Sequence, residues 1–342
     1  MYFIYKIIFM TTLFMGTLIT LSSYSWLGMW MGLEINLLSF IPLISSKNNC
    51  YSSESSIKYF LIQALASSIF LFSIILIIMK NKMTSEIFLM NKLLFMIMNS
   101  SILLKLGAAP FHFWFPEMIE KINWNNSMLL MTWQKIAPMI ILSYTIKSNN
   151  FMFFIIIMST LIGSIGGLNQ INLQKILAYS SINHIGWMIS TFMINEILWI
   201  SYFIIYSFML INLILMLNKF NIYLIKQLYS MNNNNYLTKF LMNINLLSLG
   251  GLPPFLGFLP KWLIIQNLSF NNFMLISFMI FMTLITLFFY IRISYSSLMI
   301  SNNEMKFNKM MLSKMNSNNK LINLMTFTSM NGLIIYSIIM NF

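Results

Sequence analysis

Lys105-Leu106-Gly107-Ala108-Ala109-Pro110-Phe111-His112-Phe113-Trp114-Phe115-Pro116 interrupts an apolar run that extends over 87–119. At about 1.5 Å per residue, that run is too long for one straight membrane crossing, which takes about 20 residues. Proline removes a backbone donor and collides with the preceding turn, so this stretch predicts a helix broken within the membrane. A second stretch, Leu249-Gly250-Gly251-Leu252-Pro253-Pro254, does the same to the run over 238–268, assisted by Gly257 and Pro260. A lysine accompanies each interruption: Lys105 stands just before the first and Lys261 just after the second.

Around these two breaks, apolar stretches recur from end to end. Of the 342 residues, 58% are hydrophobic and 8% charged. A soluble domain has about 45–50% apolar and about 25% charged residues. The class is therefore an all-α polytopic membrane protein, read as a single transmembrane domain over 1–342. About eleven spans are expected, near 3–22, 24–46, 57–79, 87–119, 127–147, 150–168, 172–193, 196–218, 238–268, 272–295 and 321–341. The run from Phe3 to Leu21 is too long for the apolar core of a signal peptide and has no basic start beyond Lys6, so it counts as a span.

The net charge of +13 does not point to nucleic acid, because the lysines are scattered between apolar spans. Alternating the spans puts thirteen of the 20 basic residues on one side and four on the other, with three lysines left inside the membrane. That bias places the N-terminus on the positive-inside face and the C-terminus opposite. The loop around Met231–Asn235 and the loop over 301–320 fall on the inner side and read as solvated. Cys50 is the only cysteine, which excludes a disulfide framework. Thirty-three methionines, no aspartate and a single arginine, Arg292, fit the coding bias of an AT-rich organellar genome better than any metal-binding pattern.

The broken helices are the fourth and ninth spans, five apart, and a shift by an odd number of helices reverses direction. This predicts two inverted five-helix repeats, about 1–147 and about 150–295, followed by a final helix at about 321–341. Interrupted helices at corresponding places in two halves point to a transport site. Leu106-Gly107-Ala108-Ala109-Pro110 and Leu249-Gly250-Gly251-Leu252-Pro253 match accordingly.

Four charges lie inside spans: Glu34, Lys105, Lys135 and Lys261. Each costs about 2.5–3.5 kcal/mol at mid-bilayer on insertion scales and is a functional-site hypothesis by default. Lys105 and Lys135 are too far from span ends to snorkel. Lys261 has two readings, a proton relay or a cation stabilising carbonyls at the helix break. Glu34 needs a partner from another helix, and Lys105 is the expected one. Burial disfavours the charged form of both residue types and pairing restores it, so a Lys–Glu pair that opens and closes is a proton switch. Lysine suits this task because arginine stays charged. His184, mid-span in Ser180-Ser181-Ile182-Asn183-His184, can accept and donate a proton near neutral pH. His112, near Glu117 and Glu120, reads as a capping or solvated residue at the inner surface. Two histidines and one cysteine exclude a haem or iron–sulfur ligand set. Gly163, Gly166 and Gly167 read as close helix packing.

Five segments carry a resemblance: Ser25–Asn36, Leu106–Trp114, Thr132–Pro138, Ser180–Trp187 and Leu249–Pro254. Together they resemble the mitochondrial NADH–ubiquinone oxidoreductase chain 2 family, with an insect-like metazoan bias, over essentially the full length. The resemblance implies an antiporter-like, proton-translocating membrane-arm subunit of respiratory complex I. Its key positions fall on Glu34, Lys105, Lys135, Lys261 and His184. It also implies the mitochondrial inner membrane, with the N-terminus in the matrix and the C-terminus in the intermembrane space. NADH, FMN, iron–sulfur clusters and ubiquinone would lie in other subunits, with no cofactor or metal in this chain. Neighbouring antiporter-like and small transmembrane subunits, and lipids such as cardiolipin, are the implied partners. A stand-alone cation/proton antiporter is the competing reading, and a purely structural membrane spacer is another.

Overall fold

A computed structural model describes residues 2–45, 49–81, 87–146, 149–229, 236–270, 272–299 and 319–340. Among the described residues all regular structure is helical, apart from one isolated bridge between Asn172 and Leu224. Helices suit an apolar solvent because each backbone donor finds its acceptor within the same segment. Serine and threonine hydroxyls inside these helices turn back on their own backbone, as Ser73 does to the Phe70 carbonyl and Ser101 to the Met98 carbonyl, both at 2.6 Å. The chain divides into two compact units, Met1–Ile162 and Gly163–Phe342.

The first unit contains α1 (Tyr2–Ser22), α2 (Trp26–Ile44), α3 (Cys50–Asn81), α4 (Ile87–Leu106), α5 (Trp114–Glu120), α6 (Trp124–Met131), α7 (Trp133–Thr145) and most of α8 (Asn149–Ile165). The α1–α2 pair packs against α3, and α4 is gripped between α3 and α7. Glu54 and Lys58 on α3 pair with Lys121 and Glu117, which fastens the α5 segment to the start of α3. The second unit contains α9 (Leu173–Thr191), α10 (Glu196–Phe220), α11 (Ile225–Tyr229), α12 (Tyr236–Gly250), α13 (Phe258–Leu268), α14 (Phe273–Met299) and α15 (Asn319–Met340). α9 is its core, buried along nearly its whole length under α10, α13 and α14.

Both interrupted runs end in the same local structure. In α4 the N–H of Gly107 bonds the Leu104 carbonyl (3.2 Å) and that of Ala108 the Leu103 carbonyl (3.1 Å). In α12, Gly251 bonds Ser248 (3.0 Å) and Leu252 bonds Leu247 (3.4 Å). Each is a Schellman ending, which needs a left-handed residue, and the glycines supply it with φ of +71° and +84°. Beyond each glycine the chain runs irregularly before α5 or α13 resumes, so both stretches expected to be broken are broken.

Every apolar stretch expected from the sequence coincides with a helix or a pair of helices. Among the described residues, five segments are long and apolar enough to cross a membrane: Ile4–Ser22, Trp26–Ile44, Cys50–Met79, Glu196–Phe220 and Phe273–Met299. One expectation is corrected. The run over 127–147 is not one helix but α6 and α7, divided at Thr132 (φ −113°, ψ −75°). Thr132 Oγ1 takes the Met128 carbonyl at 2.7 Å, and Pro138 leaves the Gln134 carbonyl without its helical donor. The short α11 occupies what read as a loop. Met231–Asn235, most of 301–320, and Lys47, Lys82 and Lys147 of the charge count lie outside the described residues.

Gly163 packs as its sequence context suggested. A Cβ there would stand 2.5 Å from the Asn183 backbone nitrogen, so within the second unit the backbone at Gly163 lies almost directly on α9.

Candidate functional site

In the first unit, Lys105 is the penultimate residue of α4, two residues before Gly107 at the break. Two carbonyls at that break also accept from side chains outside the helix. Trp114 Nε1 donates to the Leu104 carbonyl at 3.1 Å, and Gln63 Nε2 to the Lys105 carbonyl at 3.3 Å. Lys135 occupies the first turn of α7, placed there by the turn at Thr132, and its Nζ sits 5.5 Å from the Phe115 ring centroid. An ammonium over an aromatic face gains more when both are desolvated, and Lys135 is only 2% exposed.

Lys105 and Lys135 line one internal cavity with Asn36, Tyr59, Gln63 and Gln134. It offers about 20 Å³ to water centres, and a single water needs roughly 10–15 Å³. Asn36 Oδ1 and Gln134 Nε2 are buried and have no hydrogen-bond partner among the described residues. An orphaned acceptor and an orphaned donor on a polar cavity of this size are the surroundings that hold a water molecule.

Glu34 lies on α2 and is only half-buried. Its charge acts on Lys105, but among the described residues the two form no ion pair in direct contact. The expected Lys–Glu pair is therefore separated in this structure.

In the second unit, Lys261 stands in the first turn of α13 and reaches back across the break, where Nζ donates to the Gly250 carbonyl at 2.9 Å. The carbonyl-stabilising contact is thus real, and it leaves two of the three ammonium hydrogens for other acceptors. His184 is at the centre of α9, buried, with Nδ1 2.8 Å from the Tyr202 hydroxyl and its ring 4.9 Å from that of Tyr206. α9 and α13 pack against each other within this unit. His112 corrects its sequence reading: it is buried rather than solvated, with Nδ1 3.2 Å from the Pro110 carbonyl and its ring on Phe113.

Three groups of polar residues escaped a reading that looked only for charges. Gln63 and Gln134 complete the lysine cavity. Tyr202, Tyr206 and Tyr290 cluster with His184 and Ser181. On the far side of α10, Asn212 donates to Asn245 Oδ1 at 3.1 Å, and Ser329 of α15 donates to the same oxygen at 3.1 Å. Lys239, counted among solvent-side cations, is also buried. The available signal was an amide or a hydroxyl inside an apolar run, which is weak because such groups often satisfy themselves on their own helix.

Known proteins sort this arrangement. Residues 23–288 match the family of NADH:quinone oxidoreductase/Mrp antiporter transmembrane proteins. The chain is 51% identical over 338 residues to NADH-ubiquinone oxidoreductase chain 2 of Anopheles gambiae, covering 97% of each chain. It is 53% identical over 336 residues to the same-named protein of Aedes aegypti, again covering 97% of each. A chain of respiratory complex I from Thermus thermophilus shares the fold, with a TM-score of 0.80 at 18% identity over 96% of this chain and 78% of that one. Identity at this level across nearly full-length relatives, on an antiporter-like helical fold, makes this multi-pass membrane chain a member of the NADH-ubiquinone oxidoreductase chain 2 family.

Proposed function

We propose that the chain is a core membrane-arm subunit of respiratory complex I, moving protons across the mitochondrial inner membrane while electrons pass from NADH to ubiquinone in other subunits. The observation that carries this reading is the polar cavity shared by Lys105 and Lys135. A buried amine can both hold and release a proton, which arginine cannot. Two ammonium groups on one cavity repel, so protonating Lys135 favours release from Lys105, and the reverse. Water between Asn36 Oδ1 and Gln134 Nε2 is the carrier that joins them. Glu34 acts on Lys105 from the half-exposed edge of the unit: bringing the carboxylate closer holds the proton, and withdrawing it lets the proton go. Lys261 and His184 perform the corresponding steps in the second unit.

Eleven crossings arranged as two inverted repeats, about 1–147 and about 150–295, with a last helix at about 321–341, make one antiporter-like domain over 1–342 in this reading. Support comes from the matching Schellman endings at Gly107 and Gly251, each beside a lysine. The lysine bias puts the N-terminus in the matrix and the C-terminus in the intermembrane space, and basic matrix loops attract anionic lipids such as cardiolipin. Neighbouring antiporter-like and small transmembrane subunits are the partners. NADH, FMN, iron–sulfur clusters and ubiquinone belong to other subunits of the complex.

Lys135→Met tests the proposal in the assembled complex. Coupled quinone reduction and proton pumping should fall together, while the amount of complex stays unchanged. Pumping at the unaltered rate would overturn it. Cation exchange by the chain alone in liposomes would favour the stand-alone antiporter instead.

A further inference from the structure

We propose that α15 is a clasp across the second break, and that Ser329 on it is a positioning residue for Lys261. The contacts of the clasp stand on their own, while its effect on pumping rests on the proton-translocating reading above. Ser329 is fully buried where α15 packs against α10 and α12. It touches the two sides of the break separately. On the α13 side, its carbonyl accepts the Leu256 N–H at 3.1 Å. On the α12 side, its hydroxyl donates to Asn245 Oδ1 at 3.1 Å, sharing its proton with the Thr326 carbonyl at 2.8 Å. Asn245 stands five residues before Gly250, and Leu256 five before Lys261. The bond from Lys261 Nζ to the Gly250 carbonyl, at 2.9 Å, crosses the same gap. The break is thus tied twice, once by an ionisable group and once by neutral groups on a third helix.

Two observations separate this from the polar packing common between membrane helices. The first is the main-chain bond. Phe255, Phe258 and Leu259 donate to carbonyls of the stretch itself, at Leu252, Phe255 and Leu256, whereas the Leu256 N–H leaves it for α15. A backbone donor in irregular chain at membrane depth needs such an acceptor. A carbonyl has two lone pairs, so that of Ser329 can serve its own helix and a neighbour together. The second is the fit. Gly332, three residues beyond Ser329 on the same face, is where α15 meets Leu256: a Cβ there would stand 2.7 Å from Leu256 Cβ and run into the end of its side chain. Asn245 is held from its other side, since Asn212 of α10 donates to its Oδ1 at 3.1 Å and its own Nδ2 donates to Met216 Sδ at 3.3 Å. Of the two ties, only the lysine's changes with its proton. The clasp contains no titrating group and keeps the Gly250 carbonyl opposite Nζ in both states.

Three measurements on the assembled complex test the clasp. In the unaltered complex, hydrogen–deuterium exchange read by mass spectrometry should find the Leu256 amide protected, and Ser329→Ala should speed its exchange several-fold. Per assembled complex, Ser329→Ala and Gly332→Val should each lower the protons pumped per NADH oxidised several-fold, while Ser329→Thr, which keeps the hydroxyl, pumps near the unaltered level. In thermal scanning, the double variant Ser329→Ala, Lys261→Ala should lose more than the two single variants together, because each tie covers for the other. A freely exchanging Leu256 amide, an additive double variant, or a threonine variant as impaired as the alanine one would each overturn the proposal. If Ser329→Ala fails to assemble, Gly332→Val and the exchange of the unaltered complex decide. Lys135→Met in the same pumping assay separates the two ideas. Where it abolishes pumping, undiminished pumping in Ser329→Ala sinks the clasp alone. Where it does not, the translocation reading has failed, and the clasp is judged by exchange and thermal scanning.

Discussion

At the scale of single residues, Lys261 poses the sharpest question, because its contact with the Gly250 carbonyl fits both a structural clamp and a proton carrier. Substitution separates the two roles. Lys261→Arg keeps a cation at the break but cannot give up its proton. Lys261→Ala removes both. Arginine should therefore restore assembly and thermal stability towards that of the unaltered complex while pumping stays lost; recovery of pumping in the arginine variant would make the clamp the whole story. The lysines were legible in the sequence because a charge in an apolar run has no bland explanation. Tyr206, Tyr290, Gln63 and Gln134 were not, since an amide or a phenol on a helix announces its chemistry only through what stands opposite. His112 misled for a related reason: nearby carboxylates suggested water, whereas the break folds the imidazole inward onto Phe113 and its own backbone.

Among the elements, the broken helices were the best-read part of the fold. Glycine followed by proline leaves few options to a helix in lipid, and both breaks occur at the glycines. Gly251→Ala should cost about 1–2 kcal/mol for the left-handed backbone alone, and its methyl would lie 3.0 Å from Lys261 Nζ. Reduced thermal stability together with reduced pumping is expected, against a stability loss of similar size at Gly107→Ala, where the new methyl meets the Phe115 ring instead. Differential scanning of the purified complex checks the first quantity. The α6–α7 division could not be read, because threonine is common in spans and nothing in 127–147 shows that Thr132 uses its hydroxyl against the preceding turn. Pro138 was visible, but a proline four residues beyond Gln134 does not reveal where the helix before it stops.

For the whole molecule, the orientation rests on where lysines fall, and the lone cysteine offers an independent check. Cys50 is exposed at the start of α3, on the side assigned to the matrix. A membrane-impermeant maleimide should therefore label it in inside-out membrane particles and not in mitoplasts, as read by mass spectrometry of the peptide; the opposite pattern would invert the topology. The class and the approximate spans followed from composition and length alone, while the boundary of the two compact units at Ile162 and Gly163, inside α8, needed coordinates, because an uninterrupted apolar helix carries no mark of where one cluster of helices ends. The tether across the second break has one more implication. An ammonium donates a charge-assisted bond roughly twice as strong as a neutral amine does, so the grip of Lys261 on Gly250 slackens when its proton departs. Occupancy is thereby written into the main chain, and a cation a few ångströms across becomes a latch that neighbouring helices can sense.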